Sequence, residues 1–352
     1  MTNTITNPIT NTIAQTPAPD PAGAWLDARV GAIRDVTPTV REFTLVLPGP
    51  AQPHTPGSHV QVQIMVGQGG GARLHTRSYS LIGGPAAEEY AANTCRIAVK
   101  RLDEGRGGSL AMWRLGVGDR LHVTRAQNHF PLDLAAPAHL LVAGGIGITP
   151  LLGMAQALAA RSANVRMLFG AQSDEELAYL PLLHAALPGK VATAVAVRGE
   201  RVDFAKEIAA LPAQAQMYVC GPAPMLDAAR RAWAEARRPL ADLRYETFGS
   251  SGRFAPQAFR VKVPRHGLDF DVAADVGLLD ALELEGVQAL YDCRRGECGL
   301  CTMDVLAVNG EIDHRDVFLS DDEKARNKRI CVCVSRVVGE ITLDSAYRVD
   351  GA

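Results

Sequence analysis

The sequence has few aromatic residues, no long apolar run and almost no net charge. Aromatic side chains make up 5% of the 352 residues, and 36 basic residues are balanced by 38 acidic ones. No apolar stretch approaches the ~20 residues that a membrane-spanning helix needs. The balanced charge also argues against binding to nucleic acid or to an anionic membrane, so neither partner is expected.

The N-terminal segment lacks the features of a secretory signal. Residues 1–24, MTNTITNPITNTIAQTPAPDPAGA, contain no basic n-region and no apolar core, so we expect the protein to stay in the cytoplasm. Because the segment is rich in Thr, Asn, Pro and Ala, it cannot bury enough apolar surface to become ordered, and we expect a flexible tail. We expect a monomer, and the oligomeric state stays open, since no heptad repeat or large amphipathic surface is visible in the chain.

The composition and hydrophobic pattern of the sequence change twice along the chain, which predicts three domains. Residues 25–135 hold short β-rich segments such as VREFTLVL and HVQVQIMV between turn residues, a pattern typical of a small antiparallel β-barrel or sandwich. Residues 136–248 alternate apolar strands with Ala/Leu-rich helices, which predicts a doubly wound α/β domain. A polar linker is predicted at residues 249–258. Residues 259–352 combine a strand pair, a short helix, a cysteine-rich loop and a closing strand, which predicts an α+β domain.

Cysteines are concentrated near the C-terminal end. The chain has seven, an odd number, and five of them lie between Cys293 and Cys333, which favours a local metal site over a disulfide framework. Cys293, Cys298 and Cys301 have the spacing C-x4-C-x2-C of plant-type [2Fe–2S] sites. A structural zinc site is the alternative, but such sites usually pair two C-x2-C knuckles and only one is present. Cys331 and Cys333 are both candidates for the fourth ligand, because residues two apart in an extended segment point to the same side.

A second motif, HTRSYSL, lies at the end of a predicted strand in residues 25–135. The planar guanidinium of Arg77 could pair with a phosphate, the ring of Tyr79 could pack on an aromatic ring system, and the Ser80 hydroxyl could bond the ring edge. Downstream, GRGGSL forms a Gly-rich turn before a helix, and such a turn presents backbone N–H groups to an anion. Gly-rich turns also occur as plain turns, which is the alternative.

Two further turns lie at strand ends in residues 136–248. The segment GGIGITP follows the strand HLLVA and precedes a helix, which is the context of a pyrophosphate site, although it is not a G-x-G-x-x-G fingerprint. Cys220, Gly221 and Pro222 end another predicted strand, at the position where ligands bind in open α/β sheets. A buried core cysteine is the alternative interpretation of Cys220.

The coenzyme preference is expected to depend on the segment GAQSDEE, which follows the second strand of this domain. Acidic groups such as Asp174 near a ribose would repel a 2′-phosphate, whereas an NADPH site usually offers an arginine, and the segment contains none. NADH is therefore favoured. Ser173 could also bind a phosphate and Arg198 could approach in space, which leaves NADPH open.

These motifs resemble those of the phthalate dioxygenase reductase and vanillate O-demethylase reductase family, within the ferredoxin reductase superfamily. The resemblance covers roughly residues 25–350 and includes RSYS, GGIGITP, the cysteine loop, and CVSR followed by GEITLD. It implies a flavin-binding barrel, a nicotinamide domain and a β-grasp ferredoxin domain, in the order of the branch that uses FMN rather than FAD. It also implies that Cys333, directly before VSR, is the fourth ligand and that Cys331 is a buried neighbour.

The resemblance further implies site residues at each centre. Flavin contacts are expected from Arg77, Ser78, Tyr79, Ser80, Ala98, Val99, Lys100, Gly107, Gly108 and Ser109. Coenzyme contacts are expected from Gly145, Thr149, Ser173, Asp174, Cys220, Gly221 and Pro222. Phe248 is expected at or over the flavin ring until nicotinamide displaces it, with a plain core aromatic as the alternative. The iron ligands are expected to be Cys293, Cys298, Cys301 and Cys333.

The activity implied by the resemblance is that of an oxygenase reductase. NADH would pass a hydride to FMN, and single electrons would travel through the [2Fe–2S] cluster to a separate oxygenase, whose Rieske centre is the acceptor and which acts on an aromatic acid. The alternatives are the same electron path to a haem or other monooxygenase, or a non-catalytic redox sensor. Arg294 and Arg295 on the cluster loop are expected to meet an acidic patch on the partner, or else only to solvate the loop.

Overall fold

The computed structural model describes residues 25–49, 53–67, 73–83, 93–103, 107–248 and 252–345. The tail predicted over residues 1–24, the start of the linker at 249–251, and Gly105 and Arg106 of the first Gly-rich turn lie outside the described residues. Within the described ranges, no helix is long and apolar enough to cross a membrane. Three separate sheets follow one another along the chain.

The first sheet is antiparallel and has six strands in the order β4-β3-β6-β1-β2-β5. The strands are β1 (Leu26–Thr37), β2 (Val40–Val46), β3 (His59–Val66), β4 (Arg73–Ser80), β5 (Thr94–Lys100) and β6 (Arg120–Val123). A bridge between Leu81 and Ile97 joins the chain after β4 to β5, which brings the two sheet edges together as in a barrel. Phe43, Leu45 and helix α1 (Gly108–Trp113) help to fill its interior.

The second sheet is parallel, with five strands in the order β11-β10-β7-β8-β9. Its strands are β7 (His139–Gly144), β8 (Val165–Ala171), β9 (Val191–Val195), β10 (Gln216–Cys220) and β11 (Leu243–Glu246). The helices are α2 (Ile148–Ala160), α3 (Leu180–Ala186), α4 (Phe204–Ala209) and α5 (Ala223–Glu235). Because both faces of the sheet are covered, β7 and β10 are buried along their whole length. The strand order reverses between β7 and β10, so the crevice at their carboxyl ends is the expected ligand site.

The third sheet is mixed and has five strands in the order β13-β12-β16-β14-β15, with β12 and β16 parallel. The strands are β12 (Phe259–Val263), β13 (Leu268–Val272), β14 (Thr302–Asp313), β15 (Arg329–Cys331) and β16 (Arg336–Asp344). Helix α6 (Leu278–Leu284) packs on the sheet through Leu279 and Leu282. A short helix α7 (Asp321–Arg326) begins with a capping box between Ser320 and Glu323.

The predicted fold class is confirmed: an antiparallel barrel precedes a doubly wound α/β layer and an α+β domain. The cysteine loop connects α6 to β14, and the two Gly-rich turns open α1 and α2, as the motifs indicate. The domain boundaries given above stay predictions. Strand β11 has no continuous apolar run, and its strand character is not evident from the sequence.

Candidate functional site

The four cysteines predicted to bind iron form two neighbouring sulfur pairs. Cys301 Sγ lies 3.1 Å from Cys333 Sγ, and the Cys293 thiol is hydrogen-bonded to Cys298. The charge of Cys293 also acts on Cys333, so the two pairs are close together. A [2Fe–2S] cluster takes two thiolates on each of two irons, and this donor set fits that requirement. In the part of the chain that the structure describes, no three His, Cys, Asp or Glu side chains are grouped for a single metal ion.

Pairing shifts the thiol pKa values in opposite directions. The hydrogen bond with Cys293 lowers the pKa of Cys298 to about 6, and hydrogen bonds with Cys331 and Cys333 lower the pKa of Cys301 to about 4. The same bonds raise the pKa of the partner thiols of Cys293 and Cys333. Each pair therefore holds one thiolate near neutral pH, and the thiolate is the form that binds metal.

Two glycines are required by the backbone of the cluster loop. Gly296 and Gly299 have φ values of 75° and 76°, in the left-handed region that other residues rarely adopt. A Cβ on Gly296 would lie 2.6 Å from a methyl group of Val334, and a Cβ on Gly299 would overlap the ring of Phe318. The loop can fold this tightly only with glycine at both positions.

Backbone N–H groups of the loop point at one of the sulfurs. The N–H groups of Arg295 and Glu297 each lie 3.4 Å from Cys293 Sγ and donate to it. Such bonds stabilise a thiolate and orient it toward a metal.

Both candidates for the fourth iron ligand reach Cys301. Cys331 is fully buried in β15, and its sulfur also lies 3.8 Å from the hydroxyl of Thr302. Cys333 lies in the turn before β16 and is partly exposed, with its sulfur beside that of Cys301. The segment is not extended as expected, because the chain turns at residues 332–334, yet both sulfurs contact that of Cys301. The choice of Cys333 stays a prediction.

The arginine of the RSYS motif is held firmly at the barrel surface. Its guanidinium donates to the carbonyl oxygen of Thr76 at 2.8 Å and lies 2.8 Å from His75 Nδ1. Gly108, in the first turn of α1, packs so closely on Arg77 that a Cβ there would lie 3.1 Å from Arg77 Nε. Gly107, before α1, has a φ of 77°. The predicted phosphate-binding arginine and the predicted Gly-rich turn thus lie side by side.

The other RSYS residues differ in their surroundings. The Ser78 hydroxyl is buried and has no hydrogen-bond partner among the described residues, which fits a position that contacts a bound group. Burial raises the pKa of Tyr79 to about 12, so its phenol stays neutral. Ser109, predicted to bind the phosphate, instead exchanges hydrogen bonds with the backbone of Leu102. The structure therefore places Ser109 near the turn but with its hydroxyl engaged elsewhere.

The predicted flavin residues of β5 face different partners. Val99 packs in the barrel core, and its carbonyl oxygen accepts a hydrogen bond from Trp113. Ala98 packs against the core of the parallel sheet. The Lys100 ammonium lies 3.0 Å from Glu176 Oε1, so it pairs with the α/β domain. Strand β5 thus lines the boundary between barrel and parallel sheet.

The two turns predicted to bind the coenzyme touch each other at the strand-order reversal. A Cβ on Gly144 would lie 2.6 Å from Pro222 Cδ, and a Cβ on Gly147 would overlap the carbonyl oxygen of Cys220. A Cβ on Gly221 would lie 3.1 Å from Gly144 Cα. Burial raises the pKa of the Cys220 thiol well above its ordinary value, so it stays protonated. The glycines let the ends of β7 and β10 form one shallow cradle, as a dinucleotide requires.

Other predicted coenzyme residues line the same crevice. Gly145 has a φ of 54°, and a Cβ there would meet no described atom within 4 Å, so this residue borders open space. The Thr149 hydroxyl donates to the carbonyl oxygen of Ile146 at 3.0 Å. Phe248 is partly buried and packs against the core of the parallel sheet. This position agrees with either expectation for Phe248.

An exposed charge cluster lies beyond the carboxyl ends of β8 and β9. Arg198 Nη1 lies 2.7 Å from Asp174 Oδ1, and Arg198 Nε lies 3.0 Å from Glu200 Oε1. Ser173 precedes Asp174 in an extended conformation. Arg198 does approach this segment in space, but its charge is shared between two carboxylates.

The barrel, the parallel sheet and the cluster loop meet at the buried carboxylate of Glu246. The contacts among Ser80, Glu246, Thr247, Arg295 and Glu297 are called the junction below. Glu246, at the end of β11, accepts a hydrogen bond from the Ser80 hydroxyl at 2.8 Å. The same Glu246 oxygen lies 2.6 Å from Arg295 Nη1, and Arg295 Nη2 lies 3.4 Å from Glu297 Oε2. No N–H of this guanidinium is aligned for a hydrogen bond with a described residue, so both contacts are ion pairs. Glu297 also accepts a hydrogen bond from the backbone N–H of Thr247 at 2.6 Å.

Burial and neighbouring charges shift the pKa values of the titratable groups at this junction. Burial raises the pKa of Glu297 to about 8, although the charge of Arg295 opposes the shift. Burial alone would lower the pKa of Arg295, but Glu246 and Glu297 hold it above its ordinary value. Arg295 also acts on His59, whose pKa is lowered to about 2, mainly by burial. Arg295 is therefore charged and His59 neutral.

The expectation that Arg294 and Arg295 face a partner is wrong. Arg295 is only 3% exposed, and its guanidinium already pairs with Glu246 and Glu297 inside the protein. The Arg294 guanidinium pairs with Asp280 at 2.6 Å and with Glu283 at 2.7 Å, and it stacks 4.1 Å from the ring centre of Tyr291. Neither charge is free to steer another protein, because acidic side chains of this chain already neutralise both.

Sequence reasoning does not identify Glu246 or Glu297 as site residues. The segment YETF places a charged residue beside a strand end, and Glu297 lies between two predicted iron ligands. These are the only signals that the sequence offers. The contacts of Glu246 with Ser80 and Arg295, and of Glu297 with Thr247, join different domains, so no local spacing reveals them.

Two family models match the chain. A model of the oxidoreductase NAD-binding domain matches residues 141–231, and a model of the 2Fe-2S iron-sulfur cluster binding domain matches residues 261–338. The matched ranges contain the Gly-rich turn at Gly144 and the cysteine loop. The chain is therefore an NAD(P)H-dependent oxidoreductase that carries an iron-sulfur domain.

Similar proteins identify the family. The chain is 37% identical over 336 residues to the heme-dependent oxidative N-demethylase beta subunit of Ectopseudomonas mendocina (strain ymp), covering 91% of this chain and 98% of the relative. It is 31% identical over 334 residues to the phthalate dioxygenase reductase of Burkholderia cepacia, covering 91% and 97%. A solved phthalate dioxygenase reductase, described as a modular structure for electron transfer from pyridine nucleotides to [2Fe-2S], has a TM-score of 0.74 at 30% identity and covers 91% and 98%.

The chain belongs to the phthalate dioxygenase reductase family, which confirms the resemblance seen in the sequence. The family supports the expected cofactor set of FMN, NADH and a [2Fe–2S] cluster. A further solved structure, full-length CYP116B46 from Tepidiphilus thermophilus, has a TM-score of 0.61 at 29% identity and covers 91% of this chain but 42% of that chain.

Proposed function

We propose that this protein is the reductase component of a two-component oxygenase. It takes a hydride from NADH onto FMN and delivers electrons one at a time through a [2Fe–2S] cluster to the oxygenase. The observation that supports this most is the contact of Ser80, Glu246 and Arg295, because it brings the flavin motif, the coenzyme crevice and the cluster loop together. An internal electron path requires the binding sites of the three redox groups to lie close together.

The electron balance of the proposed reaction determines which cofactors the chain must bind. When bound, FMN would take up two electrons and one proton as a hydride and would release the electrons singly, and a [2Fe–2S] cluster would carry one electron at a time. One NADH would therefore supply two single-electron deliveries and release one proton to water. Hydride transfer needs no general acid or base, so the task of the residues is to bind, orient and exclude water.

On the flavin side, Arg77 is the proposed phosphate ligand, together with Gly107, Gly108 and their neighbouring backbone N–H groups. The unpaired Ser78 hydroxyl and the buried Tyr79 ring lie on the same strand and are proposed to contact the bound group. The remaining proposed flavin contacts are Ser80, Ala98, Val99, Lys100 and Ser109. The family order of domains supports FMN over FAD.

On the coenzyme side, the cradle between β7 and β10 is proposed to hold NADH. Cys220 and Thr149 lie in that crevice, and Phe248 follows the strand that borders it. Gly145, Ser173, Gly221 and Pro222 complete the proposed contacts. Asp174 is proposed to favour NADH over NADPH, because it already occupies Arg198 and would repel a 2′-phosphate.

In the third domain, Cys293, Cys298, Cys301 and Cys333 are the proposed iron ligands. The two sulfur pairs support this set. We propose that the chain works as a monomer in the cytoplasm and forms a transient contact with its oxygenase.

The proposed acceptor is the Rieske centre of an oxygenase that acts on an aromatic acid. The phthalate dioxygenase reductase of Burkholderia cepacia and the phenoxybenzoate dioxygenase subunit beta of Ectopseudomonas oleovorans, 36% identical over 296 residues, support this class of partner. A haem acceptor is the second candidate, because the N-demethylase relative is named as heme-dependent and a cytochrome P450 structure contains a similar portion.

The two acceptors are separated by direct reduction. The purified holoprotein is mixed with NADH and with either a Rieske oxygenase or a haem oxygenase component encoded in the same organism, under anaerobic conditions. Rapid bleaching of the Rieske absorbance supports the first candidate, whereas a shift of the haem Soret band supports the second. Reduction of neither protein, with fast reduction of a small dye, would refute both acceptor assignments.

A further inference from the structure

The buried carboxylate of Glu246 contacts three parts of the chain. It belongs to β11 of the parallel sheet, it accepts the hydroxyl of Ser80 from the barrel at 2.8 Å, and it pairs with Arg295 of the cluster loop at 2.6 Å. The side chains of Glu246 and Arg295 are 0% and 4% exposed. Water therefore cannot replace either partner while the three parts stay together.

The charge balance makes this contact hard to open. Arg295 lies between two carboxylates, Glu246 and Glu297, and separating the cluster loop from β11 would strand buried charges without partners. Removing one partner from a buried ion pair is strongly destabilising, even where the intact pair adds little to the stability of the fold. A buried pair of this kind is best suited to specifying one relative position.

A second contact fixes the orientation of the loop. The backbone N–H of Thr247, next to Glu246, donates to Glu297 at 2.6 Å. Two adjacent residues at the end of β11 thus hold two residues of the loop, one on each side of Gly296, whose left-handed conformation sets the turn. Two attachment points restrain rotation as well as separation.

The contacts of Arg295 with Glu246 and of Glu297 with Thr247, called the clamp below, act directly on a predicted iron ligand. The backbone N–H groups of Arg295 and Glu297 are the two that donate to Cys293 Sγ, at 3.4 Å each. The side chains of the same two residues contact β11. A displacement of the clamp therefore moves the backbone that holds Cys293.

We propose that Arg295 is a positioning residue that, through Glu246, fixes the cluster loop against the flavin site at the distance needed for electron transfer. This inference rests on the proposed function and adds a role for a charge that faces the interior of the protein. The residue is not expected to contact the coenzyme or to take part in hydride transfer. Its effect is on the step from flavin to cluster.

The test replaces Arg295 together with its neighbour on the loop. The variant Arg295→Met with Glu297→Gln removes the guanidinium that pairs with Glu246 and the acidic group of Glu297 that lies beside it. Arg315→Gln is the matched control, because Arg315 forms an equally buried ion pair with Asp313, at 2.7 Å, within the third sheet domain. Arg295→Lys keeps a positive charge near Glu246 and serves as the conservative variant.

Stopped-flow mixing of each holoprotein with NADH gives the rates of flavin and cluster bleaching. The ratio of cluster rate to flavin rate is expected to fall on the order of tenfold or more in the double variant, since small displacements of reacting groups have large effects on rate. Arg315→Gln should keep the wild-type ratio, and Arg295→Lys should restore most of it. Iron content and the electron paramagnetic resonance signal after dithionite reduction should match wild type in all three.

A second readout does not depend on turnover. Small-angle X-ray scattering of the double variant is expected to show a larger radius of gyration than wild type, because the third domain is released from β11. A wild-type ratio with wild-type scattering would overturn the inference, as would an equal fall in the Arg315→Gln control. If wild-type protein itself fails to reduce its cluster with NADH, the proposed function fails instead.

Discussion

Replacing Gly147 by alanine tests whether the two Gly-rich turns form one coenzyme cradle. Gly147 has a φ of -61° and a ψ of -5°, an ordinary helical conformation, so alanine brings no backbone strain there. Its Cβ, however, would overlap the carbonyl oxygen of Cys220, and the obstructing atom belongs to the backbone. The effect of this substitution is therefore steric alone.

The size of the effect follows from the contact. The ends of β7 and β10 must separate to admit a methyl group, and overpacking of this kind costs about 1–3 kcal/mol of folding stability. The separation also widens the cradle, and a displacement of about 1 Å at a binding site can reduce kcat/KM on the order of a hundredfold. We expect a clear rise in KM for NADH together with a modest fall in Tm.

The assay combines steady-state reduction of ferricyanide by NADH with thermal unfolding. Gly267→Ala is the control, because Gly267, before β13 in the third domain, has a φ of 67° and no described atom within 4 Å of its Cβ position, so it suffers strain without a collision. The control should lose stability and keep its KM. An unchanged KM in Gly147→Ala, at a lowered Tm, would refute the placement of the coenzyme between these turns.

Three further predictions concern acid stability, coenzyme choice and the cluster. Burial lowers the pKa of His59 from 6.5 to about 2, so below pH 6.5 only the unfolded chain takes up this proton. The free energy of unfolding should therefore fall by about 1.4 kcal/mol per pH unit below 6.5. In urea melts His59→Gln should reduce this pH dependence, and an unchanged pH dependence would contradict the prediction. Asp174→Asn frees Arg198 from one of its two carboxylates. The ratio of kcat/KM for NADPH to that for NADH should then rise on the order of tenfold, the effect of one charge-assisted hydrogen bond. An unchanged ratio would count against the role of Asp174 in coenzyme choice. Cys333→Ser should abolish iron binding while Cys331→Ser retains two irons, and the reverse result in iron analysis would reassign the fourth ligand.

Local sequence patterns predict much of this molecule. The C-x4-C-x2-C spacing identifies the cluster loop because iron ligation constrains residues that are close in sequence. The strand HLLVAG, which is apolar after its first residue, predicts a buried parallel strand, and the turn after it reaches the strand-order reversal. In each case the physical constraint acts within about ten residues of the chain, which is why the pattern is visible.

The junction could not be predicted in the same way. Ser80 and Glu246 are 166 residues apart, and their hydrogen bond depends on how the barrel packs on the parallel sheet. A pair of arginines on a loop is usually solvated, and the burial of Arg295 follows only from a carboxylate in another domain. Ser109 shows the same limit on a smaller scale, since its hydroxyl bonds to the Leu102 backbone rather than facing the predicted phosphate site.

An anaerobic titration of the purified holoprotein with NADH, followed in the visible range, tests the electron path most directly. The protein is expected to hold one FMN and two irons, and three electrons per chain require about 1.5 equivalents of NADH for full reduction. Flavin and cluster absorbance should both bleach along this titration. Bleaching of the flavin alone, or zinc in place of iron, would contradict the account.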